Sequence, residues 1–84
     1  MEIKVLGPGC ANCATLAKRS EEAVKKSGAT AVVTKVTDYE EMLSYGILRT
    51  PGLVINGKLV VSGRVPSVDE IVTLIHEATQ GSTQ

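Results

Sequence analysis

The chain holds two cysteines, Cys10 and Cys13, and both fall where a strand hands over to a helix. Upstream lies Ile3-Lys4-Val5-Leu6, too short for a helix and β-branched at Ile3 and Val5, so Glu2–Leu6 reads as a strand. Gly7-Pro8-Gly9 breaks it. Downstream, Cys13, Leu16, Ala17, Ser20, Ala23 and Val24 recur at helical spacing, which predicts a helix from about Ala11 to Ser27. Cys10 then sits at or just before the first helical turn, and Cys13 inside it. A helix start carries unpaired N–H groups and the positive end of the macrodipole, both of which favour an anionic sulfur.

The remaining elements follow in order. Lys25 and Lys26 in the last turn and Gly28 after it close the first helix, with Glu21–Lys25 and Glu22–Lys26 as i,i+4 pairs. Thr30–Thr37 alternates around Val32, Val33 and Val36, a second strand. Asp38-Tyr39-Glu40-Glu41 has the form of a capping box and opens a short helix to about Tyr45, ended by Gly46. Leu53–Ile55 and Lys58–Val61 flank Asn56-Gly57, a strong hairpin signal. Pro66 introduces a second capping box, Ser67-Val68-Asp69-Glu70. The helix it opens buries Ile71, Leu74, Ile75 and Ala78. The tail 81–84 is expected to fray. The order β-α-β-α-β-β-α, with a right-handed crossover first and an antiparallel hairpin later, gives a mixed four-stranded sheet with helices on both faces. The fold class is α/β.

Eighty-four residues make one domain, 1–84, with a core that must be aliphatic: there is no Phe or Trp, and Tyr39 and Tyr45 are the only aromatic side chains. Net charge is zero, which gives no reason to expect nucleic acid or an anionic membrane as partner. A stacking platform for single strands is missing as well. No run reaches membrane-spanning length, and two cysteines in one C-x-x-C do not form an extracellular disulfide framework, so a cytoplasmic location is expected. With one histidine, His76, expected to face solvent, and no second C-x-x-C, the residues do not build a zinc site. Lys4 reads as a snorkelling lysine at a strand edge, and Arg64 as a surface residue.

Cys10-Ala11-Asn12-Cys13 after the first strand and Thr50-Pro51 before the third resemble the minimal thioredoxin fold. In length and in its Gly-x-Gly-Cys-x-x-Cys loop the chain is similar to the small thioredoxin- and glutaredoxin-like redox-active disulfide proteins. The resemblance runs from about Ile3 to Ala78. It implies a thiol–disulfide oxidoreductase that needs no cofactor beyond a Cys10–Cys13 disulfide, with Cys10 the exposed nucleophile and Cys13 the resolving thiol. It implies a cis Thr50-Pro51 bond facing that disulfide, Thr50 main chain offered to an extended substrate, and Gly63 beside the last helix at the same site. Gly9, Ala11 and Asn12 complete the site loop. The partners implied are protein disulfide substrates and a reductase, and the chain is expected to be a monomer.

The chain also departs from the families it resembles. Thioredoxin proper has Trp before the first cysteine and Gly-Pro between the two, where this sequence has Gly9 and Ala11-Asn12. Six residues before the first cysteine it has a buried acid, where this sequence has Lys4. Ser62-Gly63-Arg64-Val65 does not reproduce the Gly-Gly-Asp-like element with which glutaredoxins capture glutathione. The alternative to exchange is a soft-metal carrier, of copper or an iron–sulfur cluster, since Gly-x-Cys-x-x-Cys is also similar to copper chaperones. Those run β-α-β-β-α-β and usually carry Met two residues before the first cysteine, here Pro8.

Exchange requires a thiolate. Lowering a thiol's pKa by one unit from ~8.5 raises the thiolate at pH 7 from about 3% to about 24%, while nucleophilicity falls about threefold. The net gain is about threefold. Exposure, alignment and a well-stabilised leaving thiolate must supply the rest.

Overall fold

The computed structural model describes the backbone of residues 1–9, 11–47 and 49–81. Seven elements follow one another: β1 (Glu2–Leu6), α1 (Ala11–Ser27), β2 (Val32–Val36), α2 (Tyr39–Ser44), β3 (Gly52–Ile55), β4 (Lys58–Ser62) and α3 (Val68–Gly81). The predicted β-α-β-α-β-β-α order is the observed one. The sheet order is β2-β1-β3-β4. β1 pairs with β2 in parallel and with β3 antiparallel, and β3 pairs antiparallel with β4. The mixed four-stranded sheet of a minimal thioredoxin fold results. β2 is shorter than the Thr30–Thr37 run suggests, and residues 82–84 of the tail expected to fray lie outside the described residues.

Alternation along β1 divides the core between the two faces of the sheet. Ile3 and Val5 point to one face, where Leu16, Ala17 and Ala23 of α1 and Ile71 and Ile75 of α3 cover them. Leu6 points to the other, with Val36, Met42 of α2, Ile47 and Val54. Helices therefore cover both faces. On α3 the expected stripe is half-realised: Ile71 and Ile75 are fully buried, while Leu74 and Ala78 are only partly covered.

The hairpin turns at Asn56 (φ 51°) and Gly57 (φ 82°). Two successive left-handed residues define a type I′ turn, whose twist matches the flanking strands. Four local expectations gave way to tertiary partners. Asp38 caps α2 through Glu40 N–H (3.3 Å), but Glu41 turns away to Lys4. Ser67 accepts from Glu70 N–H (3.2 Å), while the Glu70 carboxylate pairs with Arg64, which is thus not a bare surface residue. Lys26 reaches across to Asp69 at 2.6 Å rather than back to Glu22. β1 is central, so Lys4 is not at an edge. It crosses beneath α2 to the Tyr45 hydroxyl (2.9 Å) and Glu41 Oε2 (3.3 Å).

Candidate active site

The glycine loop leaves β1 with Gly7 N–H still bonded to Val36 C=O at 3.0 Å. The exit therefore stays fixed against the end of β2. Cys13 lies on the inward stripe of α1, 6% exposed, and its sulfur is disulfide-bonded. Ala11, Asn12 and Ala14 beside it are exposed, as is Gly9, which has φ +97°. Cys10 lies outside the described residues, so its predicted exposure and nucleophilic role belong to the functional reading below.

Gly7 is where the loop meets the helix. A Cβ built on it would overlap Cys13 Sγ, stand 3.1 Å from Cys13 Cβ and 4.0 Å from Thr50 Cβ. The sulfur of α1 and the segment before β3 therefore converge on one glycine. The Thr50-Pro51 bond is cis, with Thr50 exposed and Pro51 buried. Gly63 (φ +78°) donates its N–H to Pro51 C=O at 2.9 Å, and Ser62 Oγ donates to Arg49 C=O at 3.3 Å. Of the residues singled out from sequence, Cys13, Thr50, Pro51 and Gly63 are thus gathered at one end of the sheet. His76 is exposed and lies on α3.

Two depressions flank this point. One, of about 90 Å³, is lined by Val5, Gly7, Gly9, Cys13 and Ala14, with Lys35 and Thr37 at the end of β2. The other, of about 160 Å³, runs between Pro8 and Thr50 and is lined by Tyr39, Met42, Leu43, Ile47 and Arg49. Tyr39 is 70% and Leu43 55% exposed. Sequence reading passed over Tyr39, Leu43, Arg49 and Lys35. The signal for the first two was available: they are i,i+4 on a short helix whose Met42 faces the core. A larger depression of about 300 Å³, among Ile55, Lys58, Val60 and Leu74, lies beside the Asn56-Gly57 turn at the opposite end of the sheet.

Charge around the site is unevenly spent. The Tyr45 hydroxyl, and after it the Glu41 carboxylate, hold the Lys4 ammonium above its usual range; its nitrogen also lies 5.5 Å from the Tyr45 ring centre. The Arg64 guanidinium holds the Glu70 carboxyl below its usual range. Lys35 and Arg49 make no ion pair among the described residues. Those residues contain no group of three or more metal-ligating side chains, and no helix long and apolar enough to cross a membrane.

A family model of the thioredoxin domain matches residues 1–76. The chain belongs to the thioredoxin domain family. A protein named thioredoxin from Methanothermobacter thermautotrophicus is 40% identical over 75 residues, covering 89% of this chain and 97% of its own length. Another of that name from Methanocaldococcus jannaschii is 35% identical over 69 residues, covering 82% of this chain and 79% of its own. Both matches extend over most of the sheet and its helices. Within the thioredoxin family, then, this chain places a buried, disulfide-bonded cysteine at the start of α1 and a lysine, Lys4, beneath α2.

Proposed function

We propose that the protein is a thiol–disulfide oxidoreductase working through a Cys10/Cys13 dithiol. The observation that carries this reading is the convergence of the disulfide-bonded Cys13 and the exposed residue Thr50, through its Cβ, on Gly7; family membership and two relatives named thioredoxin support it. In the reducing direction the Cys10 thiolate attacks one sulfur of a substrate disulfide. That substrate bond breaks, its electron pair leaves on the other sulfur, and a mixed disulfide to Cys10 forms. Cys13 then loses its proton and attacks Cys10. The Cys10–Cys13 bond forms and the second substrate thiol leaves. Substrate gains two electrons and the protein dithiol loses two, to be restored by a dithiol or flavin reductase.

Substrate specificity in this reading comes from main chain and from shape. An extended segment pairs with the backbone at Thr50 as a short added strand, next to Pro51 and Gly63. Tyr39 and Leu43 offer an apolar seat beside it, and Gly9, Ala11 and Asn12 form the exposed rim of the loop. The partners are protein disulfides, the working form is a monomer, and the protein acts in the cytoplasm without a bound cofactor. Reduction of a protein disulfide by the dithiol form, with the oxidised chain as stoichiometric product, is the test. Turnover that survives loss of both cysteines would overturn the reading, as would a reduced protein that holds stoichiometric copper or iron and exchanges no disulfide.

A further inference from the structure

We propose that Arg49 is a specificity-determining residue, which takes the carboxylate of an acidic side chain lying beside the disulfide cysteine of a protein substrate. The proposal rests on the dithiol reading above and deepens it by naming the substrate class. Arg49 precedes Thr50, whose backbone receives the substrate in that reading, and both residues are exposed. The depression between Pro8 and Thr50 has Met42 and Ile47 as its buried floor, with Tyr39 and Leu43 exposed beside them. Arg49 is the only charged residue among the described residues that line it, so a carboxylate would enter unopposed.

The fold holds the stem of this arginine and leaves its charge uncommitted. Lys4 is paired with Glu41, Lys26 with Asp69 and Arg64 with Glu70. Arg49 has no ion pair among the described residues. A Cβ built on Gly63 would stand 3.0 Å from Arg49 Cβ and 3.2 Å from Arg49 Cδ, so the aliphatic stem lies along the bare backbone of Gly63. Ser62 Oγ donates to Arg49 C=O at 3.3 Å, and Gly63 N–H donates to Pro51 C=O at 2.9 Å. With backbone and stem fastened, the planar guanidinium gives up less conformational freedom when it meets a carboxylate.

Selection must be local, because the chain as a whole has no net charge with which to draw an acidic partner. The first turn of α1 holds no acidic residue, and its start adds partial positive charge to the same end of the sheet. A guanidinium can meet a carboxylate through two parallel N–H···O bonds, and a neutral amide of the same shape forfeits that charge-assisted pair. A strand paired at Thr50 advances about 3.3 Å per residue, so the immediate neighbours of the substrate cysteine, and not distant residues, come within reach of Arg49. An exposed pair of this kind is worth about threefold in affinity. That is enough to rank substrates without retaining product.

The test compares two disulfide-bonded peptides that carry either Glu or Gln on both sides of the cysteine. Wild-type protein should favour the Glu peptide about threefold in kcat/KM, and the ratio should fall toward one at about 1 M salt, where screening acts within about 3 Å. Arg49→Gln should bring the ratio to one, Arg49→Lys should keep part of it, and Arg49→Glu should invert it. A second arm uses the same peptides with serine in place of cysteine and follows binding by the amide shifts of the protein, with the same ratio expected. Equal binding of the two serine peptides by wild type, or a preference that survives in Arg49→Gln, overturns the proposal. Should Arg49→Gln fail to fold, the salt dependence of the wild-type ratio decides alone, and a flat response overturns it. The serine peptides need no exchange, so absence of turnover with either cysteine peptide would count against the dithiol reading while the binding ratio still decides the role of Arg49.

Discussion

Gly7 faces the sulfur of Cys13 so closely that a methyl group on its α-carbon would occupy the same space as Sγ. The glycine is required by that contact and not by its backbone angles, which lie outside the left-handed region. Gly7→Ala must therefore push α1 away from β1 or turn the Cys13 side chain, and overpacking of this kind costs about 1–3 kcal/mol. Urea unfolding should show a lowered midpoint at unchanged slope, and exchange should slow in the same variant. An unchanged midpoint would mean that α1 can shift at no cost.

The two cysteines should be inequivalent. Cys13→Ser leaves Cys10 able to attack but unable to release product, so a mixed disulfide with substrate accumulates. Cys10→Ser traps nothing. Mass spectrometry of both variants after incubation with a protein disulfide checks this; trapping through Cys13 would reverse the roles.

Tyr39 and Leu43 hold their side chains in solvent beside Thr50, where they have little fold to support. Replacing both by Ser should lower kcat/KM for a protein disulfide several-fold and leave a small-molecule disulfide unaffected. Stability should change by no more than about 0.5 kcal/mol per site, as for other surface positions. Equal loss on both substrates would place the effect in the dithiol and not in docking.

Lys4 links the centre of the sheet to α2, and its proton is bound more tightly in the folded state because of Tyr45 first and Glu41 second. A raised lysine stabilises fully below its unfolded value of about 10.4 and loses that contribution as pH climbs through the higher folded value. Lys4→Met should lack this component, so its deficit against wild type should shrink in strongly alkaline solution. The Glu70 carboxyl, lowered by Arg64, gives the mirror case. Its contribution is present above about pH 4.3 and fades as the solution is acidified. Denaturant midpoints across pH for Lys4→Met and Glu70→Gln check both; a deficit that ignores pH would mean packing alone.

Much of the architecture was legible because its signals are local. Asn56-Gly57 supplies two residues tolerant of positive φ between alternating runs, and the hairpin follows. The stripe Cys13, Leu16, Ala17, Ser20, Ala23 fixes which side of α1 is buried, and Ser20 remains there by bonding its hydroxyl to Leu16 C=O at 2.8 Å. What escaped was the destination of long charged side chains. Glu41, Glu70 and Lys26 each had a partner at capping or helical spacing, yet took one on another element or loop instead. Spacing rules see one turn of chain, whereas a flexible side chain chooses among everything within its reach in space. Gly7 was legible as a break but not as a seat for a sulfur, since that role needs α1 already docked. Lys35 escaped for a related reason: its face is set by its register with Val5 on another strand.

The candidate site and the hairpin turn lie at opposite poles of the sheet. Gly7, Cys13, Thr50 and Gly63 gather where β1 and β2 end, whereas the Asn56-Gly57 turn sits at the opposite end, its Asn56 N–H bonded to Glu2 C=O at 2.8 Å. Both turn residues are exposed. A fluorophore, affinity handle or surface tether attached at Lys58, one residue past the turn and also exposed, would leave the thiol-bearing end facing outward. Immobilised in that orientation, the protein would turn the exposed Thr50 and the Gly9 and Asn12 side of the site toward a flowing partner, and a chain with no tryptophan of its own would leave the optical channel free for the partner's signal.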